Sequence, residues 1–205
     1  DLALAIIDEQ HRFGVAQRKA LRAKAGLNDA MPHLLSMTAT PIPRTLALTV
    51  YGDLDLSVLD ELPPGRKKPI TKLVAPHNRD KAYEFTLAKI KEGRQALVIC
   101  PLIVESDRLG VKAVEQEYKK LTEEIFPQLK IGLLHGRMKT KEKDAVMDSF
   151  AKGELAILVA TSLVEVGINV PNAAVILIES AERFGLAQLH QLRGRVNRST
   201  HQAYC

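Results

Sequence analysis

The chain has 205 residues, of which 46% are hydrophobic and 26% charged, a composition typical of a globular protein. It excludes a disordered, collagen-like or coiled-coil chain, and no apolar run approaches the ~18 residues that span a membrane. The net charge of +5 permits a polyanionic partner. Cys100 and Cys205 are too few for a disulfide framework or a zinc site. We therefore expect a protein of the reducing cytoplasm, without a signal peptide or membrane association.

Two apolar runs of strand length, at residues 2–7 and 33–37, come first along the chain. Such runs are typical of strands that are buried on both faces of a parallel sheet. Helices are predicted at residues 14–25 and from Pro41 to Gly52, since glycine ends both and proline begins the second. Because two covered strands bury too little surface to be stable, we expect this first segment to be an incomplete part of a larger sheet.

Two prolines, a glycine and three consecutive basic residues predict a linker at residues 63–69, between segments 1–62 and 70–205. After the linker, strands alternate with helices, which predicts an α/β fold with a parallel sheet covered by helices. The predicted strands lie at residues 70–75, 96–100, 130–134, 155–160 and 174–178. The predicted helices lie at residues 78–92, 107–124, 139–152 and 186–196.

Polar residues follow both early strands, and ligands of open α/β sheets bind beyond the carboxyl ends of strands. Asp8 and Glu9 suit a metal–phosphate site, in which Asp8 holds Mg²⁺ directly or through water and Glu9 orients the attacking water. A solvated acidic turn is the alternative. The hydroxyl residues at 36–40 either transmit a shift between sites or cap the helix that Pro41 begins.

Three later groups suit anions. Residues 135–139, His-Gly-Arg-Met-Lys, combine a glycine that lets the backbone approach a ligand with cations for phosphates, unless they form a plain polar loop. Thr161 and Ser162 stand where a helix N-terminus binds phosphate, or they cap that helix. Arg195 and Arg198 are three residues apart and form an anion clamp on one helix face, or a solvated basic face. The opposite face of that helix is expected to be anchored by Leu186, Leu189, Leu192 and Val196.

The order of these motifs is more specific than any one of them. Asp-Glu-x-His, Thr-Ala-Thr-Pro, the linker, His-Gly-Arg-Met, Ala-Thr-x-x-x-Glu-x-Gly and Gln-Leu-Arg-Gly-Arg-x-x-Arg together resemble motifs II to VI of superfamily-two helicases. The chain most resembles the RecG family of bacterial ATP-dependent branched-DNA helicases, through IIDEQHRFGVAQR, LLHGRMKTKEKDAVMDSF and ERFGLAQLHQLRGRV. The transcription-repair coupling translocases, the alternative family, typically have Asp-Glu-Glu-Gln and Leu-Tyr-Gln where this chain has Asp-Glu-Gln-His and Leu-His-Gln.

The resemblance implies two RecA-like lobes with ATP and Mg²⁺ between them, residues 1–62 being an incomplete first lobe and 70–205 the second lobe. It implies a motor that remodels branched double-stranded DNA, such as stalled forks and Holliday junctions, in recombination and repair. By motif match, the catalytic residues are Asp8, Glu9, Arg195 and Arg198, with Asp8 at Mg²⁺ and the arginines at the γ-phosphate. Nucleotide-facing roles match Glu165, Gly167, Asn169 and Gln191. Roles in DNA binding or coupling match Gln10, His11, Thr38, Thr40, Arg137 and Thr161.

The chain also departs from the family pattern. Asn169 stands where the family usually has Asp, and Asn197 where it has Gly. The chain contains neither a Gly-x-x-x-x-Gly-Lys-Ser/Thr phosphate cradle nor the wedge-bearing DNA-binding region that the family carries upstream. We therefore expect a motor part that is inactive alone and that the missing half-lobe and wedge domain complete. A non-catalytic nucleic-acid-binding or protein-binding module with a degenerate helicase fold is the alternative from a different class.

Overall fold

In a computed structural model, the chain divides into two compact units, residues 1–57 and 58–205. The structure describes residues 3–8, 33–38, 55, 57–59, 61, 63–101, 107–161, 170–196 and 200–205. The helices predicted at residues 14–25 and from Pro41 to Gly52 lie outside the described residues. Within these residues, no helix is both long and apolar enough to cross a membrane.

The described part of the first unit is a pair of parallel strands. β1 (Leu4–Ile7) pairs with β2 (His33–Ser36), and the amide of Met37 donates a hydrogen bond to the carbonyl of Ile7 at 2.8 Å. The two predicted strands are therefore confirmed. Ala5 and Ile7 are buried and the alternate residues of β1 are exposed, so the expected burial on both faces is wrong for this strand.

The second unit alternates helices and strands along the chain. The helices are α1 (Arg79–Lys91), α2 (Asp107–Lys120), α3 (Thr140–Ala151) and α4 (Leu186–Arg193). The strands are β3 (Gln95–Cys100), β4 (Ile131–Leu134), β5 (Ile157–Thr161) and β6 (Ala173–Ile178). A π-helical turn, Leu121–Ile125, continues α2. The strands form a parallel sheet in the order β4-β5-β3-β6, which confirms the predicted α/β fold.

Apolar side chains cover both faces of this sheet. Every residue of β3 is buried, because β3 lies between β5 and β6 with a hydrophobic core on each face. Phe150 of α3 and Leu192 of α4 belong to the core on one face. Tyr83 of α1 and Phe126 belong to the other, where their rings meet edge to face at 5.7 Å. Removal of this apolar surface from water is the main stabilising contribution to the fold.

Two of the connections that lead from helices into strands use glycine. Gly93 after α1 and Gly153 after α3 have φ angles of 82° and 79°, a conformation that strains residues with a side chain. The buried side chain of Gln95 also fastens the turn after α3. Its amide donates hydrogen bonds to the carbonyls of Phe150 at 2.6 Å and Leu155 at 2.8 Å.

The strand predicted at residues 70–75 is wrong, since only Ile70 forms a β-bridge, with Tyr204. The amide of Ile70 donates to the carbonyl of Ala203 at 2.9 Å, and the amide of Lys72 donates to that of Cys205 at 2.8 Å. This ladder with residues 203–205 is too short for a regular strand, although the β-branched residues at 70–74 favour extended backbone.

We expect Leu158→Ala to lower the free energy of unfolding by about 2–5 kcal/mol, because it leaves a cavity at a fully buried position of β5. Leu186→Ala, the same change at a side chain that is 86% exposed, should change it by less than about 0.5 kcal/mol. Urea unfolding followed by circular dichroism measures both variants. Equal losses in the two variants would contradict the core described above.

Candidate functional site

The first unit brings two of the predicted site residues to one edge of its strand pair. Asp8 directly follows β1 and Thr38 lies two residues after β2, and the pairing of Ile7 with Ser36 sets the two strand ends level. Both side chains are exposed. Their oxygens are donors of the kind that Mg²⁺ prefers. Among the described residues, no group of three or more His, Cys, Asp or Glu side chains is placed to hold a metal, so an ion here would need further oxygen ligands.

A row of polar side chains, which we call the edge row, crosses the carboxyl edge of the second sheet. Cys100 ends β3 opposite Thr161, the last residue of β5. His135 and Glu179 directly follow β4 and β6, at the next positions in the register. Because positions level across a sheet share a face, the edge row lies on the face of α1 and α2.

One half of the edge row is formed by His135 and Thr161, whose side chains hold buried polar atoms. The side chain of His135 is 12% exposed, and its Nε2 lies 3.9 Å from Oε1 of Glu115 in α2. Thr161 is completely buried. Among the residues that the structure describes, neither Nδ1 of His135 nor Oγ1 of Thr161 has a hydrogen-bond partner. Such an atom typically costs about 1–3 kcal/mol, so these two are not explained by stability alone.

At the other half of the edge row, Glu179 belongs to a network that we call the Arg79 cluster, formed by Arg79, Tyr83, Glu117 and Glu179. The Arg79 guanidinium donates hydrogen bonds to Glu179 at 2.5 Å, Glu117 at 3.2 Å and the Tyr83 hydroxyl at 2.6 Å. The Tyr83 hydroxyl donates to Glu117 at 3.3 Å. The cluster thus joins α1, α2 and the carboxyl end of β6 through one cation and two carboxylates.

Burial and charge in the Arg79 cluster change the proton affinities of its members. Burial raises the pKa of Tyr83 to about 12 and raises that of Glu179, against the opposing effect of Arg79. Burial lowers the pKa of Arg79, but its hydrogen bond to Tyr83 and the two carboxylates outweigh this and raise the pKa overall. Burial, followed by the charges of Glu117 and Glu179, raises the pKa of Cys100 to about 12, so this thiol is protonated and unreactive at neutral pH.

The loop after β4 carries Arg137, the predicted DNA contact. Its side chain is exposed. The amide of Met138 donates to the carbonyl of His135 at 3.3 Å, and Nζ of Lys143 donates to the carbonyl of Gly136 at 2.8 Å. These bonds fix a short turn that presents Arg137 to solvent beyond the carboxyl edge.

The prediction of a helix to residue 196 is wrong, because α4 ends at Arg193 with Gly194 as its C-cap. Arg195 therefore lies in the following turn, where its amide donates to the carbonyl of Leu192 at 3.0 Å. Because Arg195 lies outside α4, it is not on the helix face that it was expected to share with Arg198.

The predicted anchoring of α4 holds only in part. Leu192 and Val196 are buried, and Leu189 packs against the same core. Leu186 is 86% exposed and anchors nothing. Gln191, the predicted nucleotide contact on α4, is half-buried.

The structure places six of the predicted site residues, which are Asp8, Thr38, Arg137, Thr161, Gln191 and Arg195. The other eight lie outside the described residues, and they are Glu9, Gln10, His11, Thr40, Glu165, Gly167, Asn169 and Arg198. Arg79, Glu117 and Glu179 are not among the residues that the sequence motifs predicted. Glu179 carries the signal that singled out Asp8, a carboxylate directly after a buried strand, whereas its partners are distant along the chain.

Comparisons with known proteins agree on a helicase relationship. The model of the helicase conserved C-terminal domain family matches residues 78–200. The ATP-dependent DNA helicase RecG of Synechocystis sp. is 55% identical over 204 residues, covering 100% of this chain and 24% of that protein. RecG of Thermotoga maritima is 54% identical over 205 residues, covering 100% of this chain and 26% of that protein.

A solved structure of RecG bound to a three-way DNA junction superimposes with a TM-score of 0.75 at 48% identity. It covers 100% of this chain and 25% of the RecG chain. The chain therefore spans about a quarter of the length of the relatives that it matches.

We expect the free energy of unfolding to fall as the pH rises from 9.0, the ordinary pKa of a thiol, to about 12, the pKa of Cys100 in the fold. Over that interval the unfolded thiol loses its proton while the folded thiol keeps it, so a rise in pH favours unfolding. Cys100→Ala should flatten this decline relative to the unchanged chain. Urea unfolding between about pH 8 and 12 measures the difference, and parallel curves would contradict the burial of the thiol.

Proposed function

Since this chain belongs to the helicase conserved C-terminal domain family, we propose that it forms the rear part of the motor of an ATP-dependent DNA helicase of the RecG kind. The observation that carries this proposal is identity of 54–55% to RecG helicases along the whole chain. In this proposal residues 1–62 are the rear of the first RecA-like lobe, 63–69 the linker and 70–205 the second lobe. The parent motor remodels branched DNA, including stalled forks and Holliday junctions.

In this proposal the first unit supplies residues that act on Mg²⁺ and the nucleotide. Asp8, exposed at the end of β1, would hold Mg²⁺, and Glu9 would orient the hydrolytic water. When bound, Mg²⁺ would neutralise part of the charge on the phosphates. Thr38 lies level with Asp8 at the same edge, which suits a coupling role shared with Gln10, His11 and Thr40.

The second unit contributes the cations that face the nucleotide. Arg195 and Arg198 reach the γ-phosphate, with Gln191 beside them and Glu165, Gly167 and Asn169 between nucleotide and DNA. The seating of Leu192 and Val196 in the core supports this role, because it fixes the backbone on both sides of Arg195. An arginine finger of this kind raises hydrolysis by about 10³–10⁵-fold in related NTPases.

The carboxyl edge of the second sheet faces the DNA backbone. Arg137, exposed beyond that edge, supplies a charge for phosphate contact. Thr161 is completely buried at the end of the neighbouring strand, so its proposed role is in coupling and not in direct contact with phosphate. RecG has been solved bound to a three-way DNA junction, which supports branched DNA as the substrate.

A chimera tests the proposal, with this chain replacing the corresponding segment of RecG from Thermotoga maritima. We expect DNA-stimulated ATP hydrolysis by the chimera, and a loss of at least about 10³-fold in kcat on Arg195→Ala or Arg198→Ala. Arg94→Ala, the same change near the amino end of β3, should leave kcat within about twofold. Turnover by Arg195→Ala and Arg198→Ala at the control rate would contradict the proposal, whereas a chimera without DNA-stimulated hydrolysis would favour a non-catalytic binding module.

We also expect the 205-residue chain alone to show no DNA-stimulated ATP hydrolysis, because it contains no Gly-x-x-x-x-Gly-Lys-Ser/Thr cradle for the phosphates. A phosphate-release assay with and without forked DNA measures this. Turnover that Arg195→Ala abolishes would show that the missing cradle is dispensable.

A further inference from the structure

Both ends of the segment that carries α4 are bonded to one short stretch of the chain, residues 68–79, which we call the brace. At the near end, Arg79 binds Glu179, one residue before Ser180. At the far end, the side chain of Gln202 donates to the carbonyl of Lys68 at 2.9 Å. The α4 segment, residues 180–196, is thus enclosed between two attachments to the brace.

The near attachment holds a turn of unusual conformation. Ser180 has φ and ψ of 50° and 52°, the left-handed region, which costs a residue with a side chain about 1–2 kcal/mol. Such a conformation persists where its neighbours fix it. Glu179 is fixed twice, since its amide donates to the carbonyl of Ile99 at 2.9 Å and its carboxylate accepts the hydrogen bond from Arg79.

The far attachment is a backbone ladder with a packed ring. Ile70 exchanges hydrogen bonds of 2.9 Å with Ala203 and Cys205, and Lys72 donates to Cys205 at 2.8 Å. Ala203 is completely buried. The ring of Tyr204 meets that of Phe85 in α1 edge to face at 4.9 Å, which fixes the ladder against the helix that follows the brace.

Arg79 holds the near attachment together because its guanidinium donates hydrogen bonds to two carboxylates, those of Glu117 and Glu179. The side chains of Glu117 and Glu179 are only 17% and 21% exposed. Without Arg79, two poorly solvated negative charges would face each other, which is costly in a partly buried site. The planar fork of arginine binds both acids at once, whereas lysine offers a single point charge.

We propose that Arg79 is a positioning residue for Gln191 and Arg195, because it fixes the start of the α4 segment against the brace. The assignment of those two side chains to the nucleotide rests on the proposed function, whereas the brace itself does not. Arg79 touches no reacting atom in this scheme. It sets the place from which α4 and the turn after it begin.

Amide hydrogen exchange of the 205-residue chain tests the brace directly. We expect Arg79→Met to lower protection of the α4 amides at least about tenfold while the β3 and β5 amides change less than about twofold. Arg79→Lys should restore part of the protection, and Lys81→Met, the same charge loss at an exposed position of α1, should have no effect. Equal loss in α4, β3 and β5, or no loss in α4, would overturn the proposal.

The chimera tests the consequence for hydrolysis. Arg79→Met should lower kcat about tenfold with KM for ATP and for DNA within about twofold, as expected when the bound state is misaligned rather than weakened. Arg79→Lys should give an intermediate kcat. Glu179→Gln, which keeps an oxygen acceptor for Arg79, provides a second variant if Arg79→Met fails to fold and should lower kcat less.

Different results would overturn the proposed function and the positioning role of Arg79. Loss of turnover in Arg195→Ala with normal turnover in Arg79→Met and Glu179→Gln would overturn the brace and leave the proposed function standing. Normal turnover in Arg195→Ala and Arg198→Ala would overturn the proposed function, and the exchange experiment would then decide the brace alone.

Discussion

The parallel pairing of β4, β5, β3 and β6 is the constraint on which the rest of the structure depends. Parallel strands end at the same edge, so the residues that follow them are brought together however far apart they lie in the chain. His135, Thr161, Cys100 and Glu179 form the edge row for this reason. The turns at Gly93 and Gly153, which follow α1 and α3, lie at the amino edge of the sheet. The polar side chains of the edge row lie at the opposite, carboxyl edge.

The edge row contains buried polar and charged groups that lower the stability of the fold. Thr161 and His135 hold buried polar atoms that have no hydrogen-bond partner in the described part of the chain, and Glu179 keeps a carboxylate where burial opposes its charge. The apolar cores beneath offset these costs, since Phe150, Leu192 and their neighbours remove large surfaces from water. A well-packed sheet thereby offsets the cost of the edge row.

Periodicity predicted most of the second unit, because buried parallel strands are continuous apolar runs and glycine follows three of the helices, α1, α3 and α4. It failed at residues 70–75, where strand formation depends on pairing and not on local β-propensity alone, and the bridge there joins Ile70 to Tyr204, 134 residues later. The prediction also failed at α4, which ends at Arg193 with Gly194 as its C-cap although apolar residues at helical spacing continue to Val196. The Arg79 cluster could not be predicted from the sequence, because Arg79 and Glu179 are 100 residues apart and only the folded sheet brings them together.

In the proposed function the carboxyl edge of the second unit faces DNA. This orientation is tested most directly by introducing a photo-crosslinking side chain into the chimera, either at the exposed position of Arg137 or at that of Glu154, which precedes β5 at the amino edge. On a three-way DNA junction, crosslinking from position 137 should exceed that from position 154 by at least about tenfold, because only phosphates at the carboxyl edge lie within reach. Equal crosslinking, or an excess from position 154, would contradict the account.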